Sequence, residues 1–302
     1  MRVFVTGGSG FVGRQVVQAL VARGHEVRCL VRPGAATKLP AAANISLAGG
    51  DVSRPDTLSP AVAGCDAVVH LVGIIREFPR RGITFQRLHV EATANVVAAA
   101  RAAGVRRYLH MSALEAQPAP VAAYHQTKLQ AEELVKTSGL SYTIFRPSLI
   151  YGPADAFMNL FRGQIESYRL VPIIGDGRYL LQPVPVWQVA QGFALALEKP
   201  QTANRSYDVG GPEPLALNEI IDILAKTLAK RVWKVHLPVR PLRLAAALFQ
   251  GFPWFPVTVD QITMLLAGNT CDPTAFFEDF GLTPVALPDG LASFLRPASS
   301  PS

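Results

Sequence analysis

The stretch Met1-Arg-Val-Phe-Val-Thr-Gly-Gly-Ser-Gly-Phe-Val-Gly-Arg-Gln15 decides the fold. An apolar run, Val3 to Val5, breaks into glycines at Gly7, Gly10 and Gly13, and an apolar helical pattern resumes through Phe11 and Val12. That order reads as a strand, a tight turn and a helix start, with glycine wherever a side chain would obstruct the backbone. Such a turn aims backbone N–H groups and the positive end of a helix dipole at a pyrophosphate. A glycine triplet alone is a weak signal; one that follows the first strand and opens a helix is much stronger. The stretch therefore predicts a bound dinucleotide before anything predicts a reaction.

Outward from it, strands and helices alternate. A helix is expected over Phe11 to Ala22, with Val12, Val16, Ala19 and Leu20 on one face; Gly24 stops it, and Glu26 to Val31 forms the second strand. The same helix–Gly–strand junction recurs at Gly104 before Tyr108–Met111 and at Gly139 before Tyr142–Phe145. Ile45–Leu47 and Ala67–Leu71 read as strands three and four, and Thr84–Ala103 as one long alanine-rich helix. The unalternated run Ala67-Val-Val-His-Leu71 suits a strand buried on both faces. The pattern predicts an α/β protein with a doubly wound, Rossmann-type parallel sheet. Residues 1–230 form the dinucleotide-binding domain on this reading. A smaller mixed lobe is interleaved with it from about residue 150, and residues 231–302 complete that lobe and a tail. Within the lobe, Asn218 to Ala229 reads as an amphipathic helix begun by an Asn cap.

The chain has 302 residues, 49% hydrophobic and 17% charged, enough for a large core. Cys29, Cys65 and Cys271 show no pair spacing, so neither a disulfide framework nor a metal site is expected. A reducing, cytoplasmic setting follows, and a chain already in its first strand at Val3 predicts no cleaved leader. The net charge of +7 suits attraction to a dinucleotide, acidic lipid headgroups or an acidic partner. It suits plain solubility better, because the charge is spread out. No nucleic-acid-binding module is legible, and no apolar run is long enough to span a bilayer. The nearest approach, Leu242 to Val257, is broken by Arg243, Gln250, Gly251, Pro253 and Pro256. The apolar residues of Pro241 to Pro256 have two readings: peripheral contact with a membrane surface, flanked by Arg240 and Arg243, or closure of the substrate pocket, with burial as the default.

Strand two ends Cys29-Leu-Val-Arg32, without the Asp or Glu that bonds an adenosine ribose hydroxyl. Arg32, helped by Arg14, is placed to meet a 2′-phosphate, which favours NADP(H) over NAD(H). Asp51 and Val52, after strand three, are expected at the adenine edge; Leu71, Val72 and Gly73, after strand four, are further candidate contacts. Tyr124 and Lys128 stand four apart, on one face of a helix over Val121–Ser138. An ammonium beside a phenol lowers the phenol's pKa, aided by a positive nicotinamide ring, so Tyr124 becomes a proton carrier.

These motifs resemble the short-chain dehydrogenase/reductases of extended or atypical kind, related to the NAD-dependent epimerase/dehydratases. The resemblance rests on Thr6-Gly-Gly-Ser-Gly-Phe-Val-Gly13, Asp66-Ala-Val-Val-His-Leu71, Tyr124-His-Gln-Thr-Lys128, Arg146-Pro-Ser-Leu-Ile-Tyr-Gly-Pro153, Gly175-Asp-Gly177 and Tyr207-Asp-Val-Gly-Gly-Pro212. Phe85–Ala94, His110–Leu114 and Arg146–Asn159 look most like the group containing the nucleotide-binding accessory subunit of respiratory complex I and its bacterial relatives. The resemblance implies Tyr124 as proton carrier, Lys128 as ribose anchor, and Pro147 and Ser148 bordering the nicotinamide. It also implies a homodimer in which the two long helices pair across a two-fold axis.

The departures are specific. Where extended members place a catalytic Ser or Thr after strand five, this chain has Ala113, with Ser112 one residue early. The helix motif reads His89-Val-Glu-Ala-Thr93, and the acidic signature after Gly177 has become Leu181–Trp187. Three functions stay open: an oxidoreductase acting on a small carbonyl or quinone-like substrate, an accessory protein that holds its nucleotide without turnover, and a nucleotide-sugar epimerase or dehydratase. His70, His110, Trp187, Trp233 and Trp254 are expected to serve packing.

Overall fold

The structure is a computed structural model and describes residues 1–32, 39, 42–114, 122–252 and 254–295. It divides into two compact units: Met1–Pro147 with Trp187–Asp208 and Thr274–Leu282, and Ser148–Val186 with Val209–Pro273 and Thr283–Ser302.

The first unit is built on β1 (Arg2–Thr6), α1 (Phe11–Ala22), β2 (Glu26–Val31), β3 (Ile45–Gly49), α2 (Pro55–Val62), β4 (Ala67–His70), α3 (Ala92–Ala102), β5 (Arg107–Met111), α4 (Ala123–Lys136) and β6 (Ser141–Pro147). The strand Arg205–Val209 joins them in a seven-stranded sheet ordered Arg205–Val209, β6, β5, β4, β1, β2, β3. The pairs β1·β2, β1·β4, β2·β3, β4·β5 and β5·β6 are all parallel, and the order turns at β1 as a doubly wound sheet requires. Gly24, Gly104 and Gly139 carry φ of +78°, +71° and +78°, with open space where a Cβ would stand. Conformation alone therefore selects glycine at the three helix ends.

Period-2 alternation sends Phe4, Val68, Tyr108 and Ile144 to one face, in a core with Leu58, Val96, Val97 and Val135 from α2, α3 and α4. On the other side Phe145 meets Phe193, Phe276 and Phe280 at centroid distances of 4.3, 6.2 and 5.6 Å. The long helix expected over Thr84–Ala103 is not uniform. Residues Gln86–Glu91 are wound as a π-helix before α3 begins at Ala92. Hydrophobic spacing cannot register the extra residue that such a turn takes in.

One ion pair fixes α4. The carboxylate of Glu132, fully buried, accepts from Arg146 Nε at 2.8 Å and Nη2 at 2.6 Å, so the helix is pinned to β6 by a two-point contact. Lys136 reaches the same carboxylate at 3.3 Å.

The second unit packs Tyr151, Met158, Phe161, Ile165, Ile220, Ile221, Leu224 and Leu291 around the strands Leu170–Ile174 and Trp233–Leu237, which pair in parallel. Two expectations are corrected here. The helix Leu217–Thr227 is not capped by Asn218; Glu219 accepts the N–H of Ala216 at 2.7 Å, while Asn218 Nδ2 donates to the carbonyl of Asp176 at 2.8 Å. The turn at Gly175–Gly177 has taken the side chain that a cap would need. The apolar segment from Pro241 is not buried either. In the helix Val239–Phe249 Ala246 alone is buried, and Trp233 and Trp254 are exposed.

The two-point contact generates a stability prediction. Removing one partner leaves the other charge without compensation, so Glu132→Ala should lose about 3–5 kcal/mol. Urea unfolding of Glu132→Ala against wild type measures it, and an unchanged midpoint would show that α4 is held by apolar packing instead.

Candidate functional site

The glycine turn closes at backbone contact. Gly10 N–H donates to the Gly7 carbonyl at 3.0 Å, and a Cβ on Gly13 would lie 2.1 Å from that same oxygen. Any side chain at Gly13 forces the turn off α1. Gly10 is the N-cap residue and offers no side-chain cap, and the first turn of α1 carries no acidic residue. The N–H groups of Phe11, Val12 and Gly13 begin the helix there with its dipole uncompensated, which is the arrangement an anionic pyrophosphate fits. A Cβ on Gly7 would stand 3.0 Å from the backbone of Leu71 and 3.1 Å from that of Val72. The turn and the end of β4 are thereby packed backbone to backbone.

The chain of contacts continues to the Tyr/Lys pair. A Cβ on Gly73 would fall 2.9 Å from Lys128 Nζ and 3.7 Å from His89 Nε2. Lys128 Nζ donates to the Met111 carbonyl at 3.1 Å, at the peptide that leads into Ser112. Glycine turn, post-β4 segment, lysine and end of β5 are therefore one contiguous surface at the carboxyl ends of the strands. Burial pushes the Lys128 ammonium down to about 8, against the opposing charge of Glu132 one helical turn away.

Tyr124 is half-buried on the first turn of α4, with its ring edge-on to His125, His89 and Phe85 at 5.2, 5.4 and 5.8 Å. The expected lowering of its pKa is not present in the protein alone. Burial pushes the phenol up to about 12, while Lys128 Nζ donates to the Met111 carbonyl.

His89 is the residue that sequence reasoning passed over, noting it only as a departure from a family motif. Its Nε2 stands 3.1 Å from both the N–H and the carbonyl of Ile74, and its Nδ1 stands 2.9 Å from Thr127 Oγ1. Burial lowers its pKa to about 2, so the ring is neutral. The π-turn brings it against Phe85 and Tyr124. Spacing did offer one clue to another missed residue: Glu132 continues the series Tyr124, Lys128 at four-residue steps.

Below this surface lies a polar row. Thr6, His70 and His110 are in register across β1, β4 and β5. Thr6 Oγ1 and His70 Nδ1 stand 2.6 Å apart, and His70 Nε2 faces Thr93 Oγ1 at 3.2 Å. Burial lowers His70 to about 3 and His110 well below its ordinary value, so both are neutral packing histidines. Ser112 follows Tyr108 and His110 at alternate positions. It is buried, its N–H donates to Phe145, and its Oγ has no hydrogen-bond partner among the described residues.

The remaining candidates are placed as follows. Arg32 is exposed at the end of β2, and Arg14 is half-buried on α1. Asp51 Oδ1 accepts from the Ser53 N–H at 2.8 Å, and Val52 is a core residue whose carbonyl accepts from Asn95. Pro147 accepts from Leu114 N–H at 3.1 Å. Ser148 belongs to the second unit, where its Oγ donates to the Asn269 carbonyl at 2.8 Å and accepts from Gln182 N–H at 3.3 Å. Its hydroxyl is already engaged.

Residues 7–156 match the model of an NAD(P)H-binding family. Over 268 residues the chain is 33% identical to 4-hydroxy-2-methyl-3-oxo-4-farnesyl-3,4-dihydroquinoline-1-oxide ketoreductase of Stigmatella aurantiaca, covering 82% of this chain and 79% of the relative. The chain belongs to the NAD(P)-binding short-chain dehydrogenase/reductase family. Among its relatives is NADH dehydrogenase (ubiquinone) 1 alpha subcomplex subunit 9 of Arabidopsis thaliana mitochondria, 27% identical over 96% of this chain and 76% of the relative. The short-chain dehydrogenase/reductase fold is shared with MoeE5, solved with UDP-glucuronic acid and NAD, at 23% identity and a TM-score of 0.79 over 97% of both chains.

The depressed ammonium has a thermodynamic signature. In the unfolded chain Lys128 titrates near its ordinary value of 10.5, so between about pH 8 and that value the unfolded state binds the extra proton. The penalty of a buried ammonium is full below that window and is relieved across it as pH rises. The melting temperature of wild type minus that of Lys128→Met should therefore increase from about pH 8 upward. A difference that stays flat with pH would show the ammonium to be solvated.

Proposed function

We propose that the protein is an NADP(H)-dependent oxidoreductase that reduces the carbonyl of a small ketone or quinone-like substrate. The observation that carries this reading is the contiguity of the glycine turn, Gly73, Lys128 and Tyr124, which gathers a pyrophosphate cradle and a proton donor at one edge of the sheet. The 33% identical relative, named as a ketoreductase, supports the same chemistry. The nicotinamide, when bound, supplies the hydride. Gly7, Gly10, Phe11, Val12 and Gly13 hold the pyrophosphate; Asp51, Val52, Leu71, Val72 and Gly73 line the adenosine and ribose path; Lys128 anchors the nicotinamide ribose, with Pro147 and Ser148 beside the ring. Tyr124 Oη gives its proton to the carbonyl oxygen as the carbonyl carbon accepts hydride, and an alcohol results. Burial holds the phenol near 12 in the protein alone, and positive charge developing on the nicotinamide as hydride leaves would favour proton transfer from it.

Arg32 gives the preference for NADP(H), because it is exposed at the strand end where a 2′-phosphate would lie and strand two ends without an Asp or Glu. A second reading, a non-catalytic nucleotide-holding accessory protein, is favoured by one observation: Ala113 occupies the usual Ser/Thr position, and Ser112 Oγ is enclosed.

The readings part on kinetics. With NADPH and a panel of ketones and quinones, Tyr124→Phe should lower kcat by about 10²-fold or more with the dinucleotide Kd unchanged. Turnover equal to wild type, or NADPH that co-purifies and neither exchanges nor oxidises, would sink the oxidoreductase reading. Arg32→Glu should weaken NADPH by about tenfold or more and leave NADH nearly unaffected, as isothermal titration can measure.

A further inference from the structure

Seven of the fourteen large hydrophobic side chains exposed among the described residues fall between Trp233 and Trp254. That clustering sets the segment apart from scattered surface apolar residues, which need no explanation. In the helix Val239–Phe249 the usual pattern is inverted. Arg240, Leu244 and Leu248 follow one another at four-residue steps on an exposed face, with Arg243 and Ala247 beside them. Leu244 is 64% exposed and Leu248 65%.

The turn that follows adds aromatic rings. Trp254, 68% exposed, stands 5.8 Å from Phe249, 6.0 Å from Phe252 and 5.8 Å from Phe255, centroid to centroid.

Charge decides what this face meets. From Ile223 to Val259 the chain contains Lys226, Lys230, Arg231, Lys234, Arg240 and Arg243 and no Asp or Glu. The bordering acids are Asp222, which holds Lys234 at 2.7 Å, and Asp260, which opens the next helix. On the helix itself both charged residues are arginines. Arg243 donates to Thr263 Oγ1 at 2.6 Å, so it is held at the rim of the apolar face. Leucine and tryptophan between arginines, with no acid among them, match the boundary between anionic headgroups and acyl chains.

We propose that this face rests on the surface of an anionic membrane, with Leu244, Leu248, Phe252 and Trp254 entering the headgroup–acyl boundary and Arg240 and Arg243 meeting lipid phosphates. Among the described residues no helix is long and apolar enough to cross a membrane, so the contact is peripheral. The proposal does not depend on the chemistry of the Tyr124 site.

Co-sedimentation of the full chain with phosphatidylcholine vesicles, with and without about 30% phosphatidylglycerol, tests it. Wild type should sediment with the anionic vesicles, weakly with the neutral ones, and less as salt is raised. Leu244→Glu/Leu248→Glu should lower partitioning at least about tenfold, and Arg240→Glu/Arg243→Glu should abolish the preference for anionic lipid. Both pairs are exposed, and an unchanged NADPH-induced thermal shift in each variant verifies folding. Wild type left in the supernatant at low salt, or a double-leucine variant that sediments as wild type does, would overturn the proposal. So would a concentration-dependent dimer abolished by the leucine changes without vesicle binding, which would assign the face to a second copy.

Discussion

The approach of Gly13 to the Gly7 carbonyl is the constraint from which the dinucleotide-binding unit follows. With a Cβ there the oxygen would be overlapped at 2.1 Å, α1 could not start where it does, and its uncapped N–H groups would be aimed elsewhere. Because the turn is set, Gly7 can lie against the Leu71–Val72 backbone, and the segment after β4 is positioned for Gly73 to admit the end of Lys128. Three missing side chains thus establish the route from the first strand of the chain to a helix more than a hundred residues later. Close-packed interiors transmit such steric constraints with little loss.

A second layer secures what the glycines leave free. Tyr124 and Lys128 are only as well aimed as α4, and α4 is fixed by Glu132 in the grip of Arg146. The helix also receives His89 from the π-wound stretch; the imidazole ring bridges the Ile74 backbone and the Thr127 hydroxyl, one turn from Tyr124. A neutral imidazole suits that duty because it is donor and acceptor at once.

Much of this was legible in the sequence, and the reasons are local. The bounds of Phe11–Ala22 and Glu26–Val31 follow from glycine punctuation and apolar period, and both occur as expected. The doubly wound order follows from repeated βα units. What escaped is what depends on three-dimensional neighbours. A π-turn leaves the hydrophobic pattern readable as plain α-helix. The phenol of Tyr124 responds to burial, which four-residue spacing does not encode. Asn218 is a good capping residue in isolation, but the Gly175–Gly177 turn reaches it first. The segment from Pro241 was expected inside because leucine and phenylalanine usually are; the sequence does not say which face of a helix finds a core.

The surplus residue in Gln86–Glu91 also separates two jobs within one helix. Downstream, Val96, Val97 and Ala100 keep their register against the sheet. Upstream, the π-wound stretch sets its own angular phase, so Phe85 and His89 face Tyr124 without dictating where the core residues fall. Around the tyrosine the upstream portion supplies Phe85 and His89, while the downstream portion supplies the core. The wide turn acts as a mechanical clutch between the lining of the tyrosine and the scaffold of the core.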